Sequence, residues 1–205
     1  MNKDIVEKKF EEWTEGLPPE ESRIRIFERI RDIPFAIVLE LFSLKKGPGE
    51  MLFRNKGFCV PKHHLLGMMY QRIGVAVRYC TYSFRWSELG ADYPAELKEQ
   101  ADKIPVTYHL ACKAFIEDRW VLVDATWDLP LKKAGFPVNE SWDGKSDLIN
   151  AVKPLEESVH GDVREREKAF REKLLSYSLP EKLELSRFSE GLNSWLEDLR
   201  VRGTG

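Results

Sequence analysis

Residues 55–63, NKGFCVPKH, decide the fold because they place Cys59 at the start of a predicted helix. Pro61 suits the first turn of that helix, where a missing backbone N–H costs no hydrogen bond. The unpaired N–H groups and partial positive charge of a helix N-terminus stabilise a thiolate, which is the reactive form of cysteine. The segment therefore predicts a nucleophile if the chain also supplies a base and an orienting group. Otherwise Cys59 is a small buried apolar side chain, as a lone cysteine usually is.

The segments around Cys59 indicate helices first and then an antiparallel sheet, which is an α+β pattern. Apolar periodicity predicts helices over residues 5–13, 20–31, 58–73, 162–177 and 187–201. Alternation and β-branched or aromatic content predict strands over residues 75–86, 104–116 and 120–125. Residues 45–58 and 128–154 are predicted to be irregular, residues 87–103 to be a loop with a short helix, and residues 35–44 to be either a helix or a buried strand. We expect one domain over residues 1–160 and a helical extension over residues 161–205 that packs on it.

The candidate base is His109, which lies in the predicted strand 104–116. A two-residue loop after this strand would place Ile116 opposite Arg119 and Ala111 opposite Asp124. Directly opposed residues share a face, so Asp124 would be the diagonal neighbour of His109, within reach of a hydrogen bond. A four-residue loop keeps this register, whereas a three-residue loop would turn Asp124 to the other face. The sequence therefore permits a Cys–His–Asp arrangement.

Such an arrangement is the cysteine version of a nucleophile, base and orienting group. Asp124 would hold the imidazole of His109 in the required tautomer and stabilise its protonated form. His109 would take the thiol proton of Cys59 and later return a proton to the leaving group. The backbone N–H of Cys59 is a natural first donor to an oxyanion, and the sequence does not indicate a second donor.

Three motifs in this order resemble the transglutaminase-like superfamily: GFC at residues 57–59, the strand histidine His109, and VLVDATWD at residues 121–128. The similarity runs over residues 34–127 and implies a papain-like core in which Cys59, His109 and Asp124 are catalytic. That superfamily often has an aromatic residue two positions after the histidine, where this chain has Ala111. Arylamine N-acetyltransferases resemble the chain as well, with a comparable Gly-Phe-Cys element and the same order of residues, although the chain is short for that family.

Other residues offer competing interpretations. His63 lies four residues after Cys59 on the same helical face, as an alternative base or, with Cys59, part of a metal site. No convincing third metal ligand is visible, so we expect no metal. Asp128 would replace Asp124 in a shifted register. Cys80 and Cys112 lie in apolar strands and are interpreted as packed side chains.

Aromatic residues are the candidates for contact with a substrate. We assign this role to Trp86, Tyr108 and Trp127. Tyr82, Phe84, Trp86 and Trp127 form a group that would line a cleft, although aromatic side chains in strands are more often part of the core.

Composition narrows the function class. The 205 residues carry a net charge of −2 and are 42% hydrophobic and 32% charged, which is typical of a soluble globular protein and not of a nucleic-acid binder. Neither a signal peptide nor an apolar run of membrane-spanning length is visible, so we expect a cytoplasmic protein without a membrane partner. No cofactor motif is present. The leading hypothesis is a cysteine enzyme that cleaves or transfers an acyl group of an amide, peptide or ester through a Cys59 thioester. The alternatives are an N-acetyltransferase-like enzyme and a non-catalytic interaction module that keeps the fold.

Overall fold

The computed structural model describes residues 2–43 and 45–201. The chain combines helices with an antiparallel sheet, so the predicted α+β class is confirmed. No helix in the described part of the chain combines the length and hydropathy that a membrane span requires.

Four strands form the sheet: β1 Val77–Phe84, β2 Thr107–Ile116, β3 Arg119–Val123 and β4 Glu156–His160. Their spatial order is β3-β2-β1-β4, and every neighbouring pair is antiparallel. Both faces of the two central strands are largely buried.

The β2–β3 hairpin fixes the position of the residue after β3. Its loop consists of Glu117 and Asp118, whose φ angles of 48° and 61° match a type I′ turn. Ile116 pairs with Arg119, so the predicted two-residue loop and register are confirmed. Continuing this register by one residue past β3 brings Asp124 to the face that carries His109.

Seven α-helices surround the sheet in the described part of the chain: α1 Asn2–Thr14, α2 Pro19–Arg31, α3 Gly47–Arg54, α4 Cys59–Arg72, α5 Ala95–Lys103, α6 Val163–Leu175 and α7 Leu179–Val201. Short 3₁₀ segments cover Leu39–Phe42, Trp86–Glu88 and Leu129–Ala134. Helix α4 packs on β2 and is buried along most of its first three turns. The helix that begins at the candidate nucleophile is therefore the central helix of the fold.

Three elements differ from the sequence-based prediction. Helix α3 replaces part of the predicted loop 45–58 because Gly47 serves packing and does not mark a loop: a Cβ at Gly47 would collide with the carbonyl oxygen of Leu41. Helix α7 begins at Leu179 and not at residue 187, because Pro180 falls in its first turn, where proline is tolerated. Strand β4 was not predicted because this edge strand is mostly polar and has no apolar alternation.

Two further segments can now be assigned. Residues 35–43 are neither a regular helix nor a buried strand: Phe35 forms a single bridge to Gly57, and a 3₁₀ turn follows. Leu44 lies outside the described residues.

Helix α7 buries Phe188, Leu192 and Leu196 in the same core as the remaining elements. The division of the chain at residue 160 stays a prediction.

Candidate active site

Cys59 is the first residue of α4 and follows Phe58, whose backbone is extended. The thiol is nearly buried and borders a cavity. Burial by itself raises the pKa of the Cys59 thiol. The hydrogen bond and positive charge of His109 outweigh burial and bring this pKa below its ordinary value.

His109 is the third residue of β2, and its ring reaches the Cys59 thiol. Its Nε2 atom is 2.8 Å from Oδ2 of Asp124, which leaves Nδ1 as the ring nitrogen available to the thiol. Burial lowers the pKa of His109, but the Asp124 carboxylate and the Cys59 thiolate raise it to about 10. The shifts of both groups favour a thiolate–imidazolium pair at neutral pH.

The Asp124 carboxylate is buried and fully hydrogen-bonded. Oδ2 accepts from His109 and from the backbone N–H of Ala151 at 2.8 Å, and Oδ1 accepts from the backbone N–H and hydroxyl of Thr126 at 3.2 and 2.6 Å. Burial alone would raise its pKa, yet the charge of His109 and these hydrogen bonds keep the pKa of Asp124 well below its usual range. The acceptor of the His109 proton is thus held as an anion in a fixed orientation.

Two side chains hold the backbone around Asp124. Asn139 donates to the carbonyl oxygens of Asp124 and Ile149 at 3.0 and 2.8 Å. The indole N–H of Trp127 donates to the carbonyl oxygen of Ala151 at 2.8 Å. Sequence reasoning missed Asn139 and Ala151 because they lie in a segment without periodicity, far along the chain from Asp124. It also missed Thr126, whose hydroxyl two residues after an aspartate is a common local hydrogen-bond pattern and was the one available signal.

Lys62, also missed, supports the same segment from the buried side of α4. Its amine donates to the carbonyl oxygens of Thr126, Arg31 and Ala125 at 2.8, 3.0 and 3.4 Å. Burial lowers the pKa of Lys62 to about 7. The lysine thereby connects α2, α4 and the strand end that carries Asp124.

Both ring nitrogens of His63, the alternative base, are engaged in hydrogen bonds. The backbone N–H of Ala125 donates to its Nε2 at 3.1 Å, so Nδ1 carries the proton and donates to the carbonyl oxygen of Cys59 at 2.8 Å. Burial lowers the pKa of His63 to about 4, so the ring is neutral. Its role in this geometry is to connect the first turn of α4 to the residue after Asp124.

Asp128 does not replace Asp124. Its carboxylate accepts two hydrogen bonds from Arg200 at 2.8 Å and one from the backbone N–H of Phe35 at 2.8 Å. It therefore joins α7 to the segment before the 3₁₀ turn, and the shifted register does not occur.

The other two cysteines lie apart from this arrangement. Cys80 and Cys112 are free and buried in β1 and β2. Burial raises the pKa of Cys80 to about 12 and that of Cys112 well above its ordinary value. Among the described residues, no three His, Cys, Asp or Glu side chains are grouped so as to hold a metal ion.

The cavity beside Cys59 and His109 has a volume of about 380 Å³. The three predicted substrate-contacting residues, Trp86, Tyr108 and Trp127, all line it. Phe84 lines it too, whereas Tyr82 stacks on the His109 ring with centroids 6.2 Å apart and donates to Glu157. Helices α6 and α7 close the opposite wall.

Comparisons with known proteins are sparse. No family model matches the chain, and no curated protein matches it. Among solved structures, a "Putative Cysteine Protease" from Cytophaga hutchinsonii aligns with a TM-score of 0.42 and 15% sequence identity. The alignment covers 78% of this chain and 47% of that chain, so this chain spans about half the length of that protein.

Proposed function

We propose that the chain is a cysteine hydrolase that cleaves an amide, peptide or ester through a thioester at Cys59. The observation that carries this proposal is the contiguous set Cys59, His109 and Asp124 beside a cavity. The 2.8 Å bond between His109 Nε2 and Asp124 leaves Nδ1 for the thiol. The order of these residues along the chain agrees with the resemblance to the transglutaminase-like superfamily.

The geometry supports a two-stage reaction. The Cys59 thiolate attacks the substrate carbonyl carbon, and the His109 imidazolium gives its proton to the leaving amine or alcohol as the carbonyl–heteroatom bond breaks. Water then attacks the thioester while His109 accepts a proton from it. Cleavage of the carbon–sulfur bond releases the acid and restores the thiolate and the imidazolium. Asp124 stays ionised throughout and stabilises the imidazolium.

Hydrolysis is proposed over transfer because water needs no acceptor site of its own, whereas transfer needs a second site that holds an amine and excludes water. We assign the cavity at Cys59 to the acyl group of the substrate.

Acylation with p-nitrophenyl acetate tests this proposal. We expect a burst of p-nitrophenol, and intact mass spectrometry should show one acetyl group on Cys59 that is then lost in water. Cys59→Ser is the control and should show neither. Absence of acetylation, or acetylation at Cys80 or Cys112, would contradict the assignment of Cys59 as the nucleophile. An acetyl-enzyme that persists in water and decays rapidly only with a primary amine, with amide as product, would instead identify an acyltransferase.

A further inference from the structure

The walls of the cavity beside Cys59 are almost entirely apolar. Its volume of about 380 Å³ lies within the range of small-molecule sites. Aromatic and aliphatic side chains from the sheet, from α6 and from α7 face each other across it. They include Phe84, Trp86, Trp127, Phe170, Leu174 and Leu185. Apart from the candidate catalytic residues, the titratable groups on the wall are the exposed Lys182 and the hydroxyls of Tyr108 and Tyr177.

Two buried polar groups in residues that line this cavity have no hydrogen-bond partner within the described part of the chain. They are the indole N–H of Trp86 and the hydroxyl of Thr107, whose residues are 6% and 7% exposed. Buried polar groups almost always have a partner, because an unsatisfied one has lost its hydrogen bonds to water without replacement. The neighbouring indole of Trp127 follows this rule and bonds to Ala151. Trp86 and Thr107 are thus exceptions within the same wall.

The chemistry of these two groups defines what would satisfy them. An indole N–H only donates, and a threonine hydroxyl both donates and accepts. A ligand that carries a hydrogen-bond acceptor, such as an amide or ketone oxygen, fits both. A carboxylate would have to leave water for an apolar space in which the buried cation on the described wall, His109, is already paired with Asp124 and the Cys59 thiolate, which is costly.

We infer that this cavity binds the acyl group of the substrate, and that this group is uncharged, mainly apolar and carries an acceptor oxygen besides the carbonyl that reacts. Trp86 and Thr107 donate to that oxygen and thereby select the acyl group. The inference rests on the proposed function, since the thioester at Cys59 places the acyl group in this cavity.

Two matched pairs of p-nitrophenyl esters test it. The esters of N-acetylphenylalanine and 3-phenylpropanoic acid differ only in the acetamido group, which supplies the acceptor oxygen. The esters of pentanoic acid and glutaric acid monoanion differ in charge at equal chain length. The rate of p-nitrophenol release is measured for each ester and divided by its rate with free 2-mercaptoethanol, which corrects for intrinsic reactivity.

We expect the corrected rate to favour the acetamido ester and the uncharged pentanoate by about tenfold or more each. Trp86→Phe and Thr107→Val each remove one donor. Each should lower the acetamido preference by about 3- to 10-fold, the range for one net hydrogen bond. Thr107→Ser, which keeps the hydroxyl, should retain it. Trp120→Phe, on the outer side of β3, is the matched control for loss of an indole.

Three results separate the possible failures. Acylation of Cys59 by all four esters without preference, or a preference that Trp86→Phe and Thr107→Val leave intact, would overturn the inference and leave the proposed function standing. If no ester acylates Cys59, the proposed function fails. Tryptophan fluorescence of Cys59→Ser, titrated with N-acetylphenylalaninamide and with 3-phenylpropanamide, then tests whether the cavity binds a ligand with an acceptor oxygen. Tighter binding of the first supports a binding site of this chemistry, and equal or absent binding rejects it.

Discussion

Asp124 and Asp128 lie four residues apart in the same motif, and both side chains are almost completely buried. Asp124 holds an imidazole beside a thiol, with Thr126 and Ala151 filling its other acceptor positions. Asp128 holds the guanidinium of Arg200 and the backbone N–H of Phe35. The sequence offers two equivalent carboxylates, and the fold gives them unrelated partners.

The difference follows from where β3 ends. Asp124 is the first residue past the paired strand, so the hairpin register still determines its direction. Asp128 follows the irregular residues 125–127 and pairs with Arg200 of α7. A carboxylate fixed by a sheet can orient a neighbour on the same sheet, whereas a carboxylate beyond the sheet joins distant segments. We therefore expect changes at Asp124 to affect chemistry and changes at Asp128 to affect stability.

The largest expected effect is that of Asp124→Asn on turnover. The neutral amide does not stabilise the imidazolium and favours the wrong tautomer of His109, so we predict a loss of roughly 10²- to 10⁴-fold. The measurement is hydrolysis of p-nitrophenyl acetate, with circular dichroism to confirm that the variant is folded. Asp128→Asn, assayed where it is folded, should stay within about threefold of the wild type. A loss of similar size in both variants would remove the distinction between the two carboxylates.

The second prediction concerns stability. Arg200 and Asp128 form a bidentate pair whose side chains are 17% and 3% exposed. Removing one partner leaves the other charge buried and unpaired, so Arg200→Met should lower the free energy of unfolding by about 3–5 kcal/mol. Urea denaturation measures it. The exposed pair of Lys132 and Glu140 provides the control, because Lys132→Met should change stability by less than about 1 kcal/mol. If Lys132→Met and Arg200→Met lower the free energy of unfolding equally, the structural role of Asp128 is contradicted.

The third prediction uses pH to separate thiolate reactivity from proton donation. Because the pKa of Cys59 is lowered and that of His109 is raised to about 10, the thiolate and the imidazolium coexist between the two values. Cleavage of N-acetylphenylalanine p-nitroanilide should fall as pH drops through the Cys59 pKa. It should fall again as pH rises through about 10, where His109 loses its proton.

Alkylation by iodoacetamide is the comparison within this experiment, since it needs only the thiolate. It should stay high above pH 10, and near pH 7 it should be faster at Cys59 than at Cys80 or Cys112, as peptide mapping would show. A Cys59 alkylation profile with a midpoint near the ordinary thiol pKa of about 8.5 would mean that His109 does not stabilise the thiolate.

The sequence was sufficient for the arrangement of Cys59, His109 and Asp124 because each depends on local signals. A glycine and a proline mark the start of α4, and the two-residue loop sets the register that carries Asp124 past β3. Asp128, four residues further along the same motif, was an open alternative at that level because a shifted register would have exchanged the two aspartates.

The contacts that hold the segment around Asp124 and Asp128 were not predictable because the residues that form them are far apart in the chain. The amine of Lys62 reaches three carbonyl groups, and only the packed structure brings them together. Ala151 contributes only its backbone N–H, so its side chain gives no indication of the contact. Arg200 is one of several charged residues in the predicted helix 187–201, and its carboxylate partner Asp128 lies 72 residues away in the chain.

The smallest expected effect is that of a second arginine. Arg166 of α6 is 1% exposed, lies over the Phe170 ring at 4.2 Å and has a 3.3 Å hydrogen bond to Thr81. Unlike Arg200, it has no carboxylate partner among the described residues. Its charge contributes to the lowered pKa of Cys59, after the larger effects of burial, of His109 and of the hydrogen bond from the Leu110 backbone. Arg166→Met should therefore slow alkylation of Cys59 by only about two- to fivefold at pH 6, with the rates converging at pH 10, where the thiolate forms in either case. Arg166→Lys keeps the charge and should restore most of the rate at pH 6. A slowing that is equal at both pH values would indicate a change in access to Cys59 and not in its ionisation.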